Sequence, residues 1–342
     1  MSNIYILAII TALISFIITP LVKRFAILVN AIDIPKDERR VHKKPVPIMG
    51  GLAIYISFVI GAILYNGILT NSQIGIIVGA TIIVMGGMID DIKELSPKYK
   101  LLIQIMAAVC LLMSGVRISI LTNPFREFYP YLNIGWVGIP VTIIWIVGVT
   151  NAFNLIDGLD GLAAGIAFIS CVTLMIVSII SGRLEAAFLT AVLSGAILGF
   201  LPYNFNPASI FMGDTGSQLL GFLLAAISIQ CAIKSATAFV IAVPILAFAL
   251  PIYDTLFAMI RRKANGKSIM QADKGHLHHR LLDMGLSQKQ AVIIMYFISA
   301  VLGGIAIIAM QMSNQRAYFL LGLTAVITVS AAWKYGIFQH KE

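Results

Sequence analysis

Residues 134–181 read IGWVGIPVTIIWIVGVTNAFNLIDGLDGLAAGIAFISCVTLMIVSIIS, which is two apolar runs joined by a short polar segment. Each run is long enough to cross roughly 30 Å of hydrocarbon as an α-helix. Between them, Asn151, Asn154, Asp157 and Asp160 recur every third residue. The stretch therefore predicts two membrane-spanning helices with a cluster of polar side chains where they meet.

Comparable apolar runs fill the rest of the 342-residue chain, which is 59% hydrophobic and 11% charged, with a mean hydropathy of +0.94. A soluble domain of this length needs far less apolar surface. We therefore predict an all-α fold, a polytopic transmembrane helical bundle that forms a single domain over residues 1–342. The spans number about eleven, over residues 4–22, 50–66, 74–89, 99–115, 134–152, 162–181, 186–202, 216–233, 236–256, 290–310 and 317–335.

The first run and the cysteines have simple interpretations. Ile4 to Leu21 is too long for the apolar core of a cleaved signal peptide, so we interpret it as a retained helix. Cys110, Cys171 and Cys231 fall within predicted spans and show no metal-ligand spacing. This favours small buried apolar side chains over a metal site or disulfides.

Basic residues are distributed unevenly between the two sides of the predicted membrane. All but five of the 24 Lys and Arg residues lie on the side that the positive-inside rule assigns to the cytoplasm. This places the N-terminus outside and the C-terminus inside. The net charge of +9 follows from this orientation and from attraction to anionic lipid heads. No basic helix or patch indicates nucleic-acid binding.

Acidic residues share this bias, although no topology rule requires it. Only Glu127 and Glu185 among the 15 acids fall on the outer side. A carboxylate beside hydrocarbon is costly and often has a function, and six aspartates lie at span ends on the inner side. They are Asp90, Asp91, Asp157, Asp160, Asp214 and Asp254, and the inner loops that carry candidate residues are 23–49, 90–100, 151–161, 203–217 and 257–289.

Simpler interpretations of several candidates remain open. Asp214 could be the N-cap of the following helix, and Asp254 could be a structural partner of Arg261 and Arg262. The HLHHR segment at residues 276–280 could be a solvated basic flank, and its histidines lack the further ligands of a familiar zinc site.

The first inner loop reads RRVHKKPVPIMGG over residues 39–51. A positive-inside flank explains its cations. It does not explain why Pro45 and Pro47 lead into the pair Gly50 and Gly51, since prolines stiffen the backbone and glycines allow a close approach. A functional and a purely topological interpretation of this loop are equally supported.

These residue types indicate phosphoryl transfer. The sequence shows neither a Ser-His-Asp or Cys-His arrangement nor a Walker loop. Carboxylates with Mg²⁺ neutralise phosphate oxygens, and cationic side chains stabilise the leaving group. A site at the membrane boundary suggests one water-soluble phosphate substrate and one lipid-borne acceptor. A cation-coupled transporter is the alternative from another class, but transporter carboxylates lie near the bilayer midplane.

Five motifs, in order, resemble those of the polyprenyl-phosphate N-acetylhexosamine-1-phosphate transferase family, which is of the glycosyltransferase family 4 type. They are KPVPIMGG at 44–51, DDIK at 90–93, NAFNLIDGLDGL at 151–162, FMGDTGS at 211–217 and HLHHR at 276–280. The resemblance implies a multi-pass enzyme of the bacterial cytoplasmic membrane with its active site facing the cytoplasm. It implies Mg²⁺ as cofactor, with Mn²⁺ as a substitute, and leaves a homodimer open. The implied reaction moves a sugar-1-phosphate from a UDP-sugar to undecaprenyl phosphate and releases UMP.

The resemblance also implies roles for individual residues. Asp90, Asp91 and Asp214 would be catalytic, and Asp214, Asp91, Asn154 and Asp157 would surround the metal. Asp90 is the candidate base for the lipid phosphate, although a phosphate with a second pKa near 6 is already ionised and could attack directly. The implied nucleotide-binding residues are Asp160, Asn204, Phe211, Gly158 and Leu159, and the implied phosphate- or sugar-binding residues are Lys44, Lys93, Lys100, Asn151, His276, His278, His279 and Arg280.

The choice of donor rests on finer features of the same resemblance. The 276–280 loop resembles the branch that uses UDP-GlcNAc and starts teichoic acid, O-antigen or related cell-envelope glycans. The peptidoglycan branch, which uses UDP-MurNAc-pentapeptide, has three consecutive histidines there, and Leu277 breaks that run. The eleventh predicted span also resembles the first branch. We predict a GlcNAc-1-phosphate transferase, with a phospho-MurNAc-pentapeptide transferase as the alternative.

Overall fold

The computed structural model describes residues 2–35, 44–122, 131–232, 242–266, 275–312 and 314–334. Most of these residues are helical, as the apolar runs predict. The helices are α1 (Ser2–Leu28), α2 (Gly51–Asn66), α3 (Asn71–Lys93), α4 (Pro97–Met113), α5 (Gly138–Ile156), α6 (Leu162–Ile180), α7 (Leu184–Asn204), α8 (Gly213–Ala232), α9 (Ala242–Ala247), α10 (Ala249–Ala264), α11 (Leu277–Asp283), α12 (Gln288–Met310) and α13 (Asn314–Lys334).

Two short antiparallel hairpins accompany the helices. Strand β1 (Ile32–Asp33) pairs with β2 (Val46–Pro47), and β3 (Ile120–Thr122) pairs with β4 (Tyr131–Asn133). The all-α prediction misses them because two- and three-residue strands are too short to show an alternating pattern. The first hairpin matters for the site, since it lies between α1 and α2 and brings the 44–51 motif close to α8.

Within the described residues, six helices are long and apolar enough to cross a membrane, namely α1, α3, α6, α7, α12, and α5 with the turn before it. This confirms the prediction of a multi-pass helical membrane protein. Each predicted span coincides with a described helix, except that the ninth is divided between α9 and α10. The number of eleven crossings and the orientation of the termini stay predictions.

The bundle is built around α7 and α8. Of the 18 most apolar consecutive residues in α7, 78% are buried inside the protein. For α1 the same fraction is 28%. Helices α1 and α6 pack on α7, and α3 and α5 pack on α8. The apolar residues that α1 leaves exposed, such as Ile9, Leu13 and Ile17, form a surface suited to lipid.

The polar motifs gather at one end of this bundle. The C-terminal ends of α3, α5 and α7 and the N-terminal end of α8 all contribute side chains to one cavity. These four helix ends therefore lie together. The sequence therefore concentrates its carboxylates where helices end, at the place where apolar runs give way to polar loops. Of the predicted site loops, residues 36–43 and 267–274 lie outside the described residues, and so do the Lys and Arg residues at positions 36, 39, 40, 43, 267 and 274.

Candidate active site

A cavity of about 810 Å³ opens at the end of the bundle where these helix ends meet. A cavity of this size accommodates a nucleotide-sized ligand. Twelve of the residues singled out in the sequence line it: Asp90, Asp91, Lys100, Asn154, Asp157, Gly158, Leu159, Asp160, Asn204, Phe211, Asp214 and His279. Residues from four separate motifs are therefore brought to one place.

The ammonium group of Lys100 lies between two carboxylates at the centre of this cavity. Its Nζ is 2.5 Å from Asp90 Oδ2 and 2.5 Å from Asp214 Oδ2. The other oxygen of Asp90 accepts a hydrogen bond from the backbone N–H of Leu95 at 2.6 Å. Three helices, α3, α4 and α8, thus converge on one point that holds a positive charge between two negative charges.

Asp91 organises the N-terminus of α8. Its Oδ1 accepts from the backbone N–H of Asp214 at 2.8 Å, and its Oδ2 accepts from Thr215 Oγ1 at 2.6 Å. A carboxylate at a helix N-terminus satisfies unpaired N–H groups and favours the helix dipole. Gly213 adopts φ +71°, and a Cβ at that position would collide with the Asp91 carboxylate. Both carboxylate oxygens of Asp91 thus already accept hydrogen bonds within the protein. The role of Asp91 as a metal ligand stays a prediction.

Behind Asp214 lies a chain of amides, of which sequence reasoning missed the buried Gln104 and Gln218. Gln218 Nε2 lies 3.4 Å from Asp214 Oδ2, and Gln218 Oε1 accepts from Gln104 Nε2 at 3.1 Å. Asn151 Nδ2 donates to Gln104 Oε1 at 2.7 Å and to Val147 O at 2.8 Å. Asn151 therefore supports the site from behind rather than lining the cavity. The sequence did offer a signal for Gln104 and Gln218, since each is a glutamine inside an apolar run. A side-chain amide in hydrocarbon needs a hydrogen-bond partner, so such a residue indicates a polar contact.

Asn154 and Asp157 flank the same centre from the end of α5. Asn154 Oδ1 accepts from Ser217 Oγ at 2.6 Å, which ties α5 to α8. Burial, followed by the nearby charges of Asp214, Asp91 and Asp160, raises the pKa of Asp157 to about 8. A cation placed among these carboxylates would relieve that repulsion.

The predicted nucleotide-binding residues also line the cavity. Asp160 Oδ2 accepts from Asn206 Nδ2 and from the backbone N–H of Ala208, each at 3.0 Å. Asn204 Nδ2 donates to Ile210 O at 3.1 Å, while its buried Oδ1 has no partner among the described residues. A buried acceptor without a donor is costly, so this oxygen is suited to a ligand N–H or O–H group.

The histidine segment, residues 276–279, packs against the polar segment that follows α5, where the His278 ring meets Gly158. His276 Nδ1 donates to Asp254 Oδ2 at 2.7 Å, so the structure gives Asp254 a histidine partner that the sequence did not indicate. His278 is 2% exposed and lies so close to Gly158 that any Cβ there would collide with its ring. Burial, followed by the neighbouring His279, lowers the pKa of His278 to about 3. Of the three histidines, His279 lines the cavity.

Several predicted residues lie away from the cavity wall. Lys44 and Lys93 are exposed to solvent. Arg280 Nε donates to Gly275 O at 3.1 Å. The cavity wall instead includes four polar residues that sequence reasoning did not single out, namely Asn30, Asp33, Glu94 and Gln288. Asn30 and Asp33 come from the segment between α1 and the β1–β2 pairing, Glu94 directly follows the DDIK motif at the end of α3, and Gln288 begins α12.

The donor set fits a hard divalent cation. Asp90 and Asp214 already face one cationic atom, and the amide oxygen of Asn154 and the carboxylate of Asp157 line the same cavity. Among the described residues, no three His, Cys, Asp or Glu side chains form a preformed metal cluster. The carboxylates of Asp90 and Asp214 would fit Mg²⁺, which commonly binds one or two carboxylates and completes its shell with water and substrate phosphate oxygens.

Comparison with known proteins agrees with this geometry. The family model described as glycosyl transferase family 4 matches residues 73–232. A Bacillus subtilis protein named "Probable undecaprenyl-phosphate N-acetylglucosaminyl 1-phosphate transferase" is 41% identical over 342 residues, which is 100% of this chain and 94% of that protein.

More distant relatives fall into two groups by name. A decaprenyl-phosphate N-acetylglucosaminephosphotransferase of Mycolicibacterium smegmatis is 34% identical and covers 93% of this chain and 85% of its own length. A phospho-N-acetylmuramoyl-pentapeptide-transferase of Staphylococcus saprophyticus is 33% identical and covers 88% of this chain and 97% of its own length. With the matched family model and the full-length similarity, these relatives confirm the resemblance: the chain belongs to glycosyl transferase family 4, as one of its polyprenyl-phosphate sugar-1-phosphate transferases.

Proposed function

We propose that this protein transfers GlcNAc-1-phosphate from UDP-GlcNAc to undecaprenyl phosphate, which yields undecaprenyl-diphosphate-GlcNAc and UMP. The observation that carries the proposal is the convergence of Asp90 and Asp214 on one cation position inside a nucleotide-sized cavity. The B. subtilis relative, whose name specifies this acceptor and sugar, supports the choice of substrates. The product would be the first lipid-linked intermediate of a cell-envelope glycan such as teichoic acid or O-antigen.

The reaction requires one bond to form and one to break. An oxygen of the lipid phosphate bonds to the phosphorus that carries GlcNAc, and the bond from that phosphorus to the oxygen shared with the uridine phosphate breaks. UMP leaves with the electron pair. A lipid phosphate with a second pKa near 6 is mostly dianionic at neutral pH, so it needs little help from a base. This chemistry favours Asp90 as an organiser of charge over Asp90 as an obligatory base.

The residues then divide between charge control and positioning. Mg²⁺, which Asp214 would hold with Asp90 nearby, would neutralise diphosphate oxygens. Lys100, already between those two carboxylates, is placed to turn its ammonium group toward phosphate oxygens when a metal takes the position. Asp160, Asn204 and Phe211, which also line the cavity, would bind the uridine, and Asn204 Oδ1 has no partner among the described residues.

The site would face the cytoplasm, where UDP-sugars are found. The concentration of basic residues on that side of the predicted membrane supports this orientation. The family membership favours the transferase over the transporter alternative, and so does the position of the carboxylates at helix ends rather than at mid-helix.

The decisive experiment measures UMP release by the purified protein with undecaprenyl phosphate and two donors, UDP-GlcNAc and UDP-MurNAc-pentapeptide. Turnover with UDP-GlcNAc that requires Mg²⁺ supports the proposal. Turnover with the second donor alone would favour the peptidoglycan enzyme. The S. saprophyticus relative, whose name specifies that activity, is the reason to include this donor. Asp214→Asn should abolish UMP release while the protein still elutes as a folded species. Normal turnover by that variant would refute the metal assignment.

A further inference from the structure

A buried carboxylate–imidazole pair connects α10 to α11. Asp254 Oδ2 lies 2.7 Å from His276 Nδ1, and Asp254 Oδ1 accepts from the backbone N–H of Leu277 at 2.8 Å. Asp254 is 6% exposed and His276 is 5% exposed. An isolated buried carboxylate is costly, so the two side chains stabilise the structure only as a pair.

This pair fixes the start of the histidine helix. His276 is the residue before α11, and Asp254 satisfies the first free N–H group of that helix. The His276 ring stacks on His278, with centroids 5.7 Å apart and an interplanar angle of 9°. The His278 ring in turn contacts His279, with centroids 4.2 Å apart. Asp254 therefore begins a continuous series of contacts that ends at a residue of the cavity wall.

The series also meets the polar segment that follows α5. Gly158 has no side chain, and the His278 ring occupies the space where a Cβ would be. Gly158 and Leu159 line the cavity beside His279. A shift of α11 would therefore move His279 and the 157–160 segment together.

We propose that Asp254 is a positioning residue for the nucleotide-sugar side of the site, and that it acts through His276. Neither Asp254 nor His276 lines the cavity, so their role is to hold α11 rather than to touch substrate. This assigns His276 an internal role in place of the phosphate contact that the sequence resemblance implied. The inference rests on the proposed function, because it concerns the donor of that reaction.

The experiment compares variants that keep or remove the bond between the two side chains. Asp254→Asn and His276→Ala weaken or remove it, whereas the amide nitrogen of His276→Asn reaches the position of ring Nδ1 and keeps a donor for Asp254. Steady-state KM is measured separately for UDP-GlcNAc and undecaprenyl phosphate, and UMP affinity is measured by calorimetry. Glu185→Gln is the matched control, because this carboxylate accepts a hydrogen bond from Thr70 Oγ1 at a place remote from the cavity.

The positioning role predicts a selective effect. Asp254→Asn and His276→Ala should raise KM for UDP-GlcNAc on the order of tenfold, the expected loss for one charge-assisted hydrogen bond, with little change for the lipid. His276→Asn should keep most of the wild-type affinity. The double variant Asp254→Asn/His276→Ala should be no worse than His276→Ala, since the two residues act as a unit.

Three results would overturn the inference. Equal increases in both KM values would show a general structural role. A His276→Asn variant as impaired as His276→Ala would show that the ring itself is needed, and unchanged kinetics in Asp254→Asn would show that the pair is dispensable. If Asp254→Asn does not fold, the comparison of the two His276 variants still decides. A wild-type protein without UDP-GlcNAc turnover would refute the proposed function, and that outcome is visible before any variant is made.

Discussion

Lys100 lies between Asp90 and Asp214, at the position that we propose for a metal ion, and this has a measurable consequence. Lys100→Met leaves Asp90 and Asp214 facing each other, and two carboxylates about 4 Å apart repel by roughly 4 kcal/mol at an effective dielectric near 20. We expect the metal-free variant to melt at a lower temperature than the wild type and to gain more from Mg²⁺ in thermal-shift measurements. UMP release should fall on the order of 100-fold, because a cation at the phosphates is lost.

The matched control for this change is Lys98→Met, which removes an exposed lysine from the first turn of the same helix. It should behave like the wild type in melting, Mg²⁺ response and turnover. An equal Mg²⁺-induced shift in Lys100→Met and the wild type would contradict the view that lysine and metal compete for one position.

His278 makes stability sensitive to acid. Its pKa is about 3 in the folded protein against an ordinary value of 6.5. Between these two values the unfolded chain binds a proton that the folded protein excludes, so stability falls as pH falls below about 6.5. We expect the melting temperature of the wild type to drop more between pH 7.5 and pH 5 than that of His278→Asn. Parallel drops would show that His278 is not the responsible group.

At the level of single residues, the sequence predicts the aspartates that stand at the ends of the apolar runs but not what each one contacts. Carboxylates at the ends of apolar runs have few reasons to be there other than function, so Asp90, Asp157 and Asp214 could be named. Their partners depend on how each helix is rotated about its axis. That rotation is set by packing, which explains why the pairing of Asp254 with His276 and the amides behind Asp214 were not foreseen.

Among the helices, the contact between α4 and α8 orients Asp214, the proposed metal ligand. Lys100 and Gln104 are one turn apart on α4 and face Asp214 and Gln218, which are one turn apart on α8. Gln218→Leu removes the nearer acceptor of Gln104 Nε2 and leaves it only Asn151 Oδ1 at 3.4 Å. The lost hydrogen bond costs about 0.5–1.5 kcal/mol. We expect a lower melting temperature and weaker Mg²⁺ dependence of turnover.

Gln230→Leu is the control for this change on the same helix. The Nε2 of Gln230 is buried and has no partner among the described residues, so its replacement should leave stability unchanged or improve it. If both variants lost the same stability, the effect would come from leucine in α8 rather than from the amide chain.

The crossing of α3 over α8 is equally specific. Gly87 packs against the backbone at Thr215, and an added Cβ would lie 2.5 Å from Thr215 Cα. Gly87→Ala should therefore push α3 away from α8, disturb the cap that Asp91 provides, and cost about 1–3 kcal/mol. Gly148→Ala on α5, where a Cβ would meet nothing within 4 Å, should be neutral in the same melting and turnover assays. Equal behaviour of the two variants would contradict the close crossing.

At the level of elements, hydropathy predicts the helices well because each apolar run must satisfy its backbone hydrogen bonds within itself. It does not predict the division of the ninth span into α9 and α10, which meet at Phe248. The β1–β2 hairpin was missed for another reason, since its two-residue strands are paired across 12 intervening residues that no local pattern links.

For the molecule as a whole, the orientation in the membrane is the prediction that gives the site its biological meaning. The proposed donor is a soluble nucleotide sugar, so the cavity must open to the cytoplasm, and the distribution of Lys and Arg predicts this. Lys98 lies in the first turn of α4, at the cavity end of the bundle. Arg316 lies in the first turn of α13, on the predicted outer side. Both side chains are exposed, so each position can carry a reporter.

We expect Arg316→Cys to react with a membrane-impermeant maleimide on intact cells, and Lys98→Cys to react only after the membrane is made permeable. The native cysteines provide the background, since Cys171 and Cys231 are buried and Cys110 is half-buried, and the unmodified chain should label weakly. The opposite pattern would turn the cavity away from UDP-GlcNAc and would require a donor on the other side of the membrane. Labelling of both positions on intact cells would place both residues on the outer side of the membrane. That result would contradict the predicted alternation of spans between α4 and α13, which puts the two residues on opposite sides.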